Sequence, residues 1–175
     1  MYGDRIWVTI PDYPDDINPG KFGDNVKKTV ENIEEFISID GVNWLISLQS
    51  RYLNIFTFTE AIQAVKDRVG DYPRIAIGTV CKTNKLSFIT KSCKLARKHF
   101  PHSHLHAFGL TLTALPKLVS VLDSFDSTAW TFPRKPGRGM CSTKEERIEY
   151  FYEYLKRIKE LVENFDGLEI VEKRV

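Results

Sequence analysis

The chain has 175 residues, of which 42% are hydrophobic and 27% charged, and it carries a formal net charge of +2 at pH 7. These values are typical of one globular domain with a sizeable core, and they exclude a wholly disordered chain. A charge this close to zero also excludes binding to nucleic acid through the overall field. Any such contact must come from a local basic patch.

The three cysteines, Cys81, Cys93 and Cys141, are an odd number without a CxxC spacing. This pattern indicates reduced thiols and not a disulfide framework or a zinc ribbon. No apolar run approaches the ~18 residues that a membrane span needs, and the first residues, MYGDRIWV, lack a signal-peptide pattern. We therefore expect a soluble, cytoplasmic protein that does not bind membranes.

Short apolar strands alternate with amphipathic helices along most of the chain. Apolar runs bounded by proline, glycine or polar residues predict strands at 5–10, 43–48, 74–77 and 103–108. Apolar residues at three- and four-residue steps predict helices at 24–37, 59–69 and 84–100, and a short one near 113–119. A further strand is predicted to begin at Val119 and to end before Asp126.

The last predicted helix covers residues 142–165. A serine or threonine at 142–143 and a glutamate at 145–146 form a predicted capping box at its start. One long apolar stripe is expected to pack against the core: Ile148, Phe151, Tyr152, Leu155, Ile158, Val162 and Phe165. Residues 166–167 (Asp-Gly) are predicted to end the helix, and 168–175 form an edge strand or a tail.

Alternation of strands and helices with short loops predicts a parallel sheet joined by right-handed crossovers. A complete eight-stranded barrel of this kind usually needs about 250 residues, whereas this chain offers five or six strands. We expect an α/β fold: a partial or incomplete (β/α) TIM-type barrel, an open sheet, or a half completed by another chain. One domain is expected over 1–175, with strand–helix units and site loops in 1–139 and a long C-terminal helix and tail in 140–175.

Polar residues or glycines follow the predicted strands directly: Asp12, Gln49, Gly78, Gly109 and Asp126. In parallel α/β folds, ligands bind at the edge of the sheet where the strands end. This shared position predicts a site there.

Asp126 is the candidate nucleophile. A carboxylate can attack the anomeric carbon of a sugar and be displaced in a second step, although an aspartate after a strand also serves as a turn cap. Asp123 is expected on the opposite face of the strand. The basic loop that follows, with Arg134, Lys135 and Arg138, suits phosphate contacts or forms a solvated loop.

His102, His104 and His106 alternate, so all three are predicted on one side of a strand, where an HxH pair could ligate a catalytic metal. Carboxylate partners for such a metal are not placed by the sequence. A cluster of basic residues in the third helix is interpreted as its solvated face: Lys91, Lys94, Arg97 and Lys98.

The segment LDSFDSTAWTFPRKPGRG resembles the tRNA-guanine transglycosylase family, and particularly its paralogues that insert 7-deazaguanine into DNA. The resemblance implies that Asp126 is the nucleophile and that Arg134 is the arginine after the family's proline. It also implies that the basic loop of Arg134, Lys135 and Arg138 holds phosphates.

Four further segments carry the resemblance over about residues 6–139: IPDYPDD, SLQS, IAIGTV and HLHAFGL. They imply that Asp12 reads the guanine edge and that Gln49 hydrogen-bonds the base. The Gly78 backbone would contact the base, and Phe108, before Gly109, would stack on it. The family's S-D-S-G-like strand, which carries its acid/base aspartate, has no counterpart here, and its zinc site is reduced to Cys141 alone.

The function that the resemblance implies is exchange of guanine for a 7-deazaguanine in DNA or tRNA through a covalent aspartyl-nucleotide. It implies no metal and no other cofactor. Its partners would be the nucleic acid, a purine or 7-deazapurine base, and a protein that completes the barrel. Two alternatives stay open: a non-catalytic base- or nucleic-acid-binding remnant or subunit, and a metal-dependent hydrolase that uses the histidines.

Overall fold

The structure is a computed structural model that describes residues 6–13, 25–81, 83–131, 134–135, 139–141 and 143–172. Its centre is a five-stranded, all-parallel sheet that curls into half of a barrel. The strands follow one another in chain order: β1 (Val8–Thr9), β2 (Trp44–Leu48), β3 (Arg74–Ile77), β4 (His104–Ala107) and β5 (Ser124–Phe125). The α/β partial barrel expected from the sequence is confirmed.

Three helices connect the first four strands: α1 (Asn25–Phe36), α2 (Ile55–Val69) and α3 (Leu86–His99). Because right-handed crossovers that always step in one direction put their helices on the same face, the convex face of the sheet is covered. The core lies between these two layers, where alternate strand residues such as Ile46, Ile75 and Leu105 are fully buried. The concave face carries the intervening residues.

Helix α2 begins four residues earlier than the apolar pattern predicts. Asn54 caps it by accepting hydrogen bonds from the backbone N–H groups of Phe56 (3.0 Å) and Thr57 (3.2 Å). The cap satisfies amides that otherwise have no partner at a helix start. The pattern missed this turn because the exposed Phe56 lies outside the apolar stripe.

The strand predicted to begin at Val119 is wrong. Residues 118–121 form a turn in which the N–H groups of Val121 and Leu122 both donate to the Leu118 carbonyl at 2.9 Å, and the strand starts only at Ser124. The helix predicted near 113–119 is likewise reduced to a 3-10 turn, Leu115–Lys117. Leu118 and Val121 are apolar because they are buried under this turn.

Arg97 does not belong to a solvated face of α3. Its guanidinium donates to the carbonyl groups of Val121 (2.9 Å) and Ser103 (2.8 Å) and to the carboxylate of Asp123 (2.6 Å). Burial opposes ionisation of Asp123, but the Leu105 N–H and the Arg97 guanidinium outweigh it and lower the pKa of that carboxyl. Arg97 therefore fastens α3 to the connection between β4 and β5.

Helix α4 (Lys144–Glu172) follows a two-stranded antiparallel ribbon of β6 (Arg134–Lys135) and β7 (Gly139–Met140). Its capping box is confirmed, because Thr143 Oγ1 accepts from the Glu146 N–H at 3.1 Å and Glu146 Oε2 accepts from the Thr143 N–H at 3.4 Å. The predicted end at 166–167 is wrong, since the helix continues to Glu172. A glycine inside a helix costs only about 1 kcal/mol relative to alanine.

The apolar stripe predicted for α4 is only partly the face that packs on the core. The packed face consists of Tyr154, Ile158 and Leu161, and α4 rests on the 3-10 turn at Leu115–Lys117. Ile148, Tyr152 and Leu155 are instead exposed, at 45%, 65% and 44% of their surface. Among the described residues, no helix has the length and apolar character that crossing a membrane requires.

Candidate functional site

The carboxyl ends of the parallel strands bring most of the predicted site residues to one edge of the sheet. The register aligns Ser47 with Ala76, Ala76 with His106, and His106 with Ser124 on the concave face. Two residues further along each of these strands, the next layer contains four candidates: Gln49, Gly78, Phe108 and Asp126. The hydrogen-bond ladder continues into this layer, from Gly78 N–H to Leu48 (3.0 Å), from Phe108 N–H to Ile77 (3.2 Å) and from Asp126 N–H to Ala107 (3.2 Å).

Asp12 follows β1, the strand beside β2, and its side chain contacts Gln49 of this layer. Its Oδ2 accepts a hydrogen bond from Ser47 Oγ at 3.1 Å and another from the side-chain amide of Gln49. Gln49 is only 3% exposed, so its amide is held in one orientation beside the carboxylate. The pair presents donors and an acceptor side by side, which suits the polar edge of a heterocycle.

Gly78 makes this arrangement possible. A Cβ atom at position 78 would overlap the Gln49 amide and stand 2.7 Å from Ser47 Oγ. Only a glycine leaves room for the Gln49 side chain to lie across the end of β3.

Asp126 is held through its backbone and through one carboxylate oxygen. Its carbonyl accepts from the Leu110 N–H at 2.9 Å, and its Oδ1 accepts from the N–H of Gly109. Gly109 has φ +59°, the left-handed region, and a Cβ there would stand 2.8 Å from Cys81 Cβ. The Asp126 side chain is 57% exposed, so a substrate can reach it.

His106 lies beside this carboxylate and can carry a proton. Its Nε2 lies 4.0 Å from Asp126 Oδ1, and its Nδ1 lies 2.9 Å from Ser124 Oγ. Burial lowers the pKa of His106 below its ordinary value, with a further lowering by His104 and an opposing effect of Asp126. The Phe108 ring meets the imidazole edge to face, with 5.0 Å between ring centroids.

A second histidine lies one layer deeper in the concave face. His104 Nε2 is 2.7 Å from the same Ser124 Oγ, and the Trp7 ring packs edge to face on His104 at 4.6 Å. The Arg74 guanidinium lies 5.0 Å from the centre of the Trp7 ring. These side chains close the amino-terminal end of the concave face below the site.

The predicted residues form two contacting groups on neighbouring strands of one edge. Asp12, Gln49 and Gly78 make the first group, and Phe108, Gly109 and Asp126 lie together in the second. Asp123 is separate from both, since it binds Arg97. The phosphate-binding prediction for the side chains of Arg134, Lys135 and Arg138 lies outside the described residues.

The three histidines do not share one face of β4. His102 lies exposed on the turn before the strand, and only His104 and His106 point into the concave face, where both contact Ser124. Within the described ranges, no three His, Cys, Asp or Glu side chains are grouped so that they could hold a metal ion.

Sequence reasoning missed Ser47, Ser124 and the role of His106. The sequence does contain a signal for Ser47 and His106. Ser47 is followed two residues later by Gln49, and His104 two residues later by His106, in strands that are otherwise apolar. That interval places polar side chains on the concave face.

The site therefore combines an accessible carboxylate after β5, a half-buried imidazole beside it, and a fixed carboxylate–amide pair after β1 and β2. This set can supply a nucleophile, a proton carrier and a polar reading edge. A scan of the chain against models of protein families and a search of curated proteins found no match.

Proposed function

We propose that the chain exchanges a purine base in a nucleic acid for a 7-deazapurine, through a covalent intermediate on Asp126. The observation that carries this proposal is the single layer of Gln49, Gly78, Phe108 and Asp126 at the carboxyl edge, joined by Asp12. The resemblance of the same residues to the tRNA-guanine transglycosylase family supports it.

In the first step, the Asp126 carboxylate attacks C1′ of the target nucleotide. The bond from C1′ to the base nitrogen breaks, and its electron pair leaves with the base. In the second step, a nitrogen of the incoming base attacks C1′, the ester bond to Asp126 breaks, and the carboxylate is restored. No electrons are gained or lost, so the sequence needs no redox cofactor.

His106 carries the proton that these steps require. The departing base takes a proton from His106, and the incoming base returns its ring N–H proton to His106 before or as it attacks. The 4.0 Å distance from His106 Nε2 to Asp126 Oδ1 lets one bound nucleotide contact both groups. In this proposal His106 takes the part of the family's acid/base aspartate, whose S-D-S-G-like motif has no counterpart in the sequence.

Asp12 and Gln49 select the base. A guanine-type edge carries adjacent N–H groups and a carbonyl oxygen, which pair with the Asp12 carboxylate and the Gln49 amide. Gly78 exposes backbone beneath the ring, and the Phe108 ring packs on it. The target nucleotide must leave its base stack to reach this edge, and the basic loop of Arg134, Lys135 and Arg138 holds the flanking phosphates.

The five-stranded sheet curls into half of a barrel, so the proposal includes a polypeptide that supplies the opposite wall. The test is incorporation of labelled guanine or 7-deazaguanine into DNA and into tRNA, with the chain alone and with any protein encoded beside it. We expect the chain alone to have weak exchange activity. Asp126→Asn should abolish exchange and the trapped covalent adduct while keeping base binding, because the amide cannot form the ester.

A non-catalytic base-binding role is the second candidate. The hydrogen bond from Gly109 N–H to the Asp126 carboxylate favours it, since that bond is also what a turn cap would make. Base binding by the wild type without any exchange or adduct, in every combination tested, would select this role and reject the transferase.

A further inference from the structure

The outer surface carries an apolar groove bordered by lysines, on the side of α3 away from α2. Its floor includes Leu86 and Leu95, and it has a volume of about 670 Å³. Four exposed lysines rim it, here called the lysine groove: Lys91, Lys94, Lys98 and Lys117. Lys117 comes from the 3-10 turn at Leu115–Lys117.

The groove exists because the connection from β4 to β5 contains a 3-10 turn where a barrel would have a full helix. Helices α1, α2 and α3 pack side by side, but the next position is filled only in part, so the flank of α3 is left open. Within the described part of the chain, none of the four lysines forms an ion pair. Their charges face solvent over an apolar floor.

Helix α4 carries an apolar stripe whose flanking charges are negative, opposite to those of the lysine groove. Its exposed stripe, here called the α4 stripe, consists of Ile148, Tyr152 and Leu155, which recur at four- and three-residue steps along one line of the helix. Glu145, Glu149 and Glu153 run beside that line, and the described residues provide no ion-pair partner for them. The stripe is therefore an apolar ridge with an acidic flank.

The two surfaces match in charge and in length. At ~1.5 Å per residue, Lys91 to Lys98 and Ile148 to Leu155 each cover about 10 Å. Both also lie beside the same 3-10 turn, since α4 packs on it and Lys117 belongs to it. A two-fold axis near this turn would let each copy offer its stripe and receive its partner's stripe at once.

We propose that the chain forms a two-fold symmetric dimer in which the α4 stripe of each copy lies in the lysine groove of the other. The apolar residues of the stripe cover Leu86 and Leu95, and the glutamates meet the lysine rim.

Two charge-reversed variants test the pairing. One carries Lys91→Glu, Lys94→Glu and Lys98→Glu, and the other carries Glu145→Lys, Glu149→Lys and Glu153→Lys. Sedimentation velocity over a wide range of protein concentration should show a wild-type dimer that weakens as salt rises. Each variant alone should dimerise at least roughly tenfold more weakly, because attraction becomes repulsion.

Restoration is the decisive measurement. An equimolar mixture of the two variants should form a heterodimer, since each stripe then meets a groove of opposite charge, and one chain carrying all six changes should dimerise again. Glu35→Lys, an exposed change on α1, is the control and should keep the wild-type dimer. Circular dichroism checks that each variant is folded. If the triple lysine variant does not fold, Lys94→Gln replaces it, and if the triple glutamate variant does not fold, Glu149→Gln replaces it. A monomeric wild type at every concentration, or a dimer indifferent to every reversal, overturns the proposal.

Discussion

The backbone of Gly78 lies directly beneath the side-chain amide of Gln49, and Ser47 Oγ would stand 2.7 Å from a Cβ atom at position 78. The amide is the far end of a flexible side chain, so it can move aside where backbone could not. Gly78 therefore controls the position of Gln49 more than it controls folding.

Gly78→Ala should weaken binding of guanine or 7-deazaguanine as much as Gln49→Ala does. The added methyl group displaces the Gln49 amide from Asp12, so the reading edge loses its fixed donor. Titration calorimetry on the two single variants and the double variant measures this. Because both changes act through one side chain, the double variant should bind like Gln49→Ala alone. Independent, additive losses would show that Gly78 acts through something else.

The exchange reaction should be fastest on the acidic side of neutrality. Burial lowers the pKa of His106, His104 lowers it further, and Asp126 opposes them, so the imidazole is mostly neutral at pH 7. The first step needs the protonated form, and its rate should therefore fall about tenfold per pH unit above that pKa. The measurement is the rate at which labelled guanine or 7-deazaguanine enters the nucleic acid as a function of pH, at a saturating concentration of that nucleobase.

His106→Gln should lower exchange by roughly 10²- to 10⁴-fold and remove this pH dependence, because the amide cannot carry a proton. His102→Gln, on the exposed turn before β4, is the matched control and should keep both the rate and the profile. An unchanged pH profile in His106→Gln would assign the titrating group elsewhere.

The packing of α4 gives a prediction on stability. Ile158→Ala should cost about 2 kcal/mol of unfolding free energy, because Ile158 packs against the core, whereas Leu155→Ala should cost less than about 1 kcal/mol. Urea denaturation at protein concentrations low enough to keep the chain monomeric compares the two. A larger loss for Leu155→Ala than for Ile158→Ala would reverse the assigned faces.

The sequence predicts the fold well where an apolar run is bounded by proline or glycine. Strand β3 matches its predicted bounds, 74–77, because Pro73 and Gly78 bracket a short apolar run. The segment at Val119 fails because apolar residues report burial and not backbone conformation, and Val121 is buried in a turn. For α4, both Ile148–Tyr152–Leu155 and Tyr154–Ile158–Leu161 have helical spacing, and only the position of the 3-10 turn decides which set is covered.

The edge that holds the candidate site is also predictable, since residues after parallel strands meet there. The contacts within the site are not. The approach of His106 to Asp126, and the position of Ser124 between His104 and His106, depend on the register of β4 against β5. Register is a property of two segments distant in the chain, and no local pattern in either one encodes it.

The Ser124 hydroxyl also links the tautomers of His104 and His106, because it contacts both imidazoles. A hydroxyl has a single hydrogen, so Ser124 can donate to only one of the two imidazoles, and any hydrogen bond with the other is one that it accepts. The Asp126 carboxylate favours hydrogen on Nε2 of His106, which makes Nδ1 the acceptor from Ser124 and obliges His104 to donate through its own Nε2. The tautomer of His104, deeper in the concave face, thus follows from the tautomer that Asp126 favours on His106.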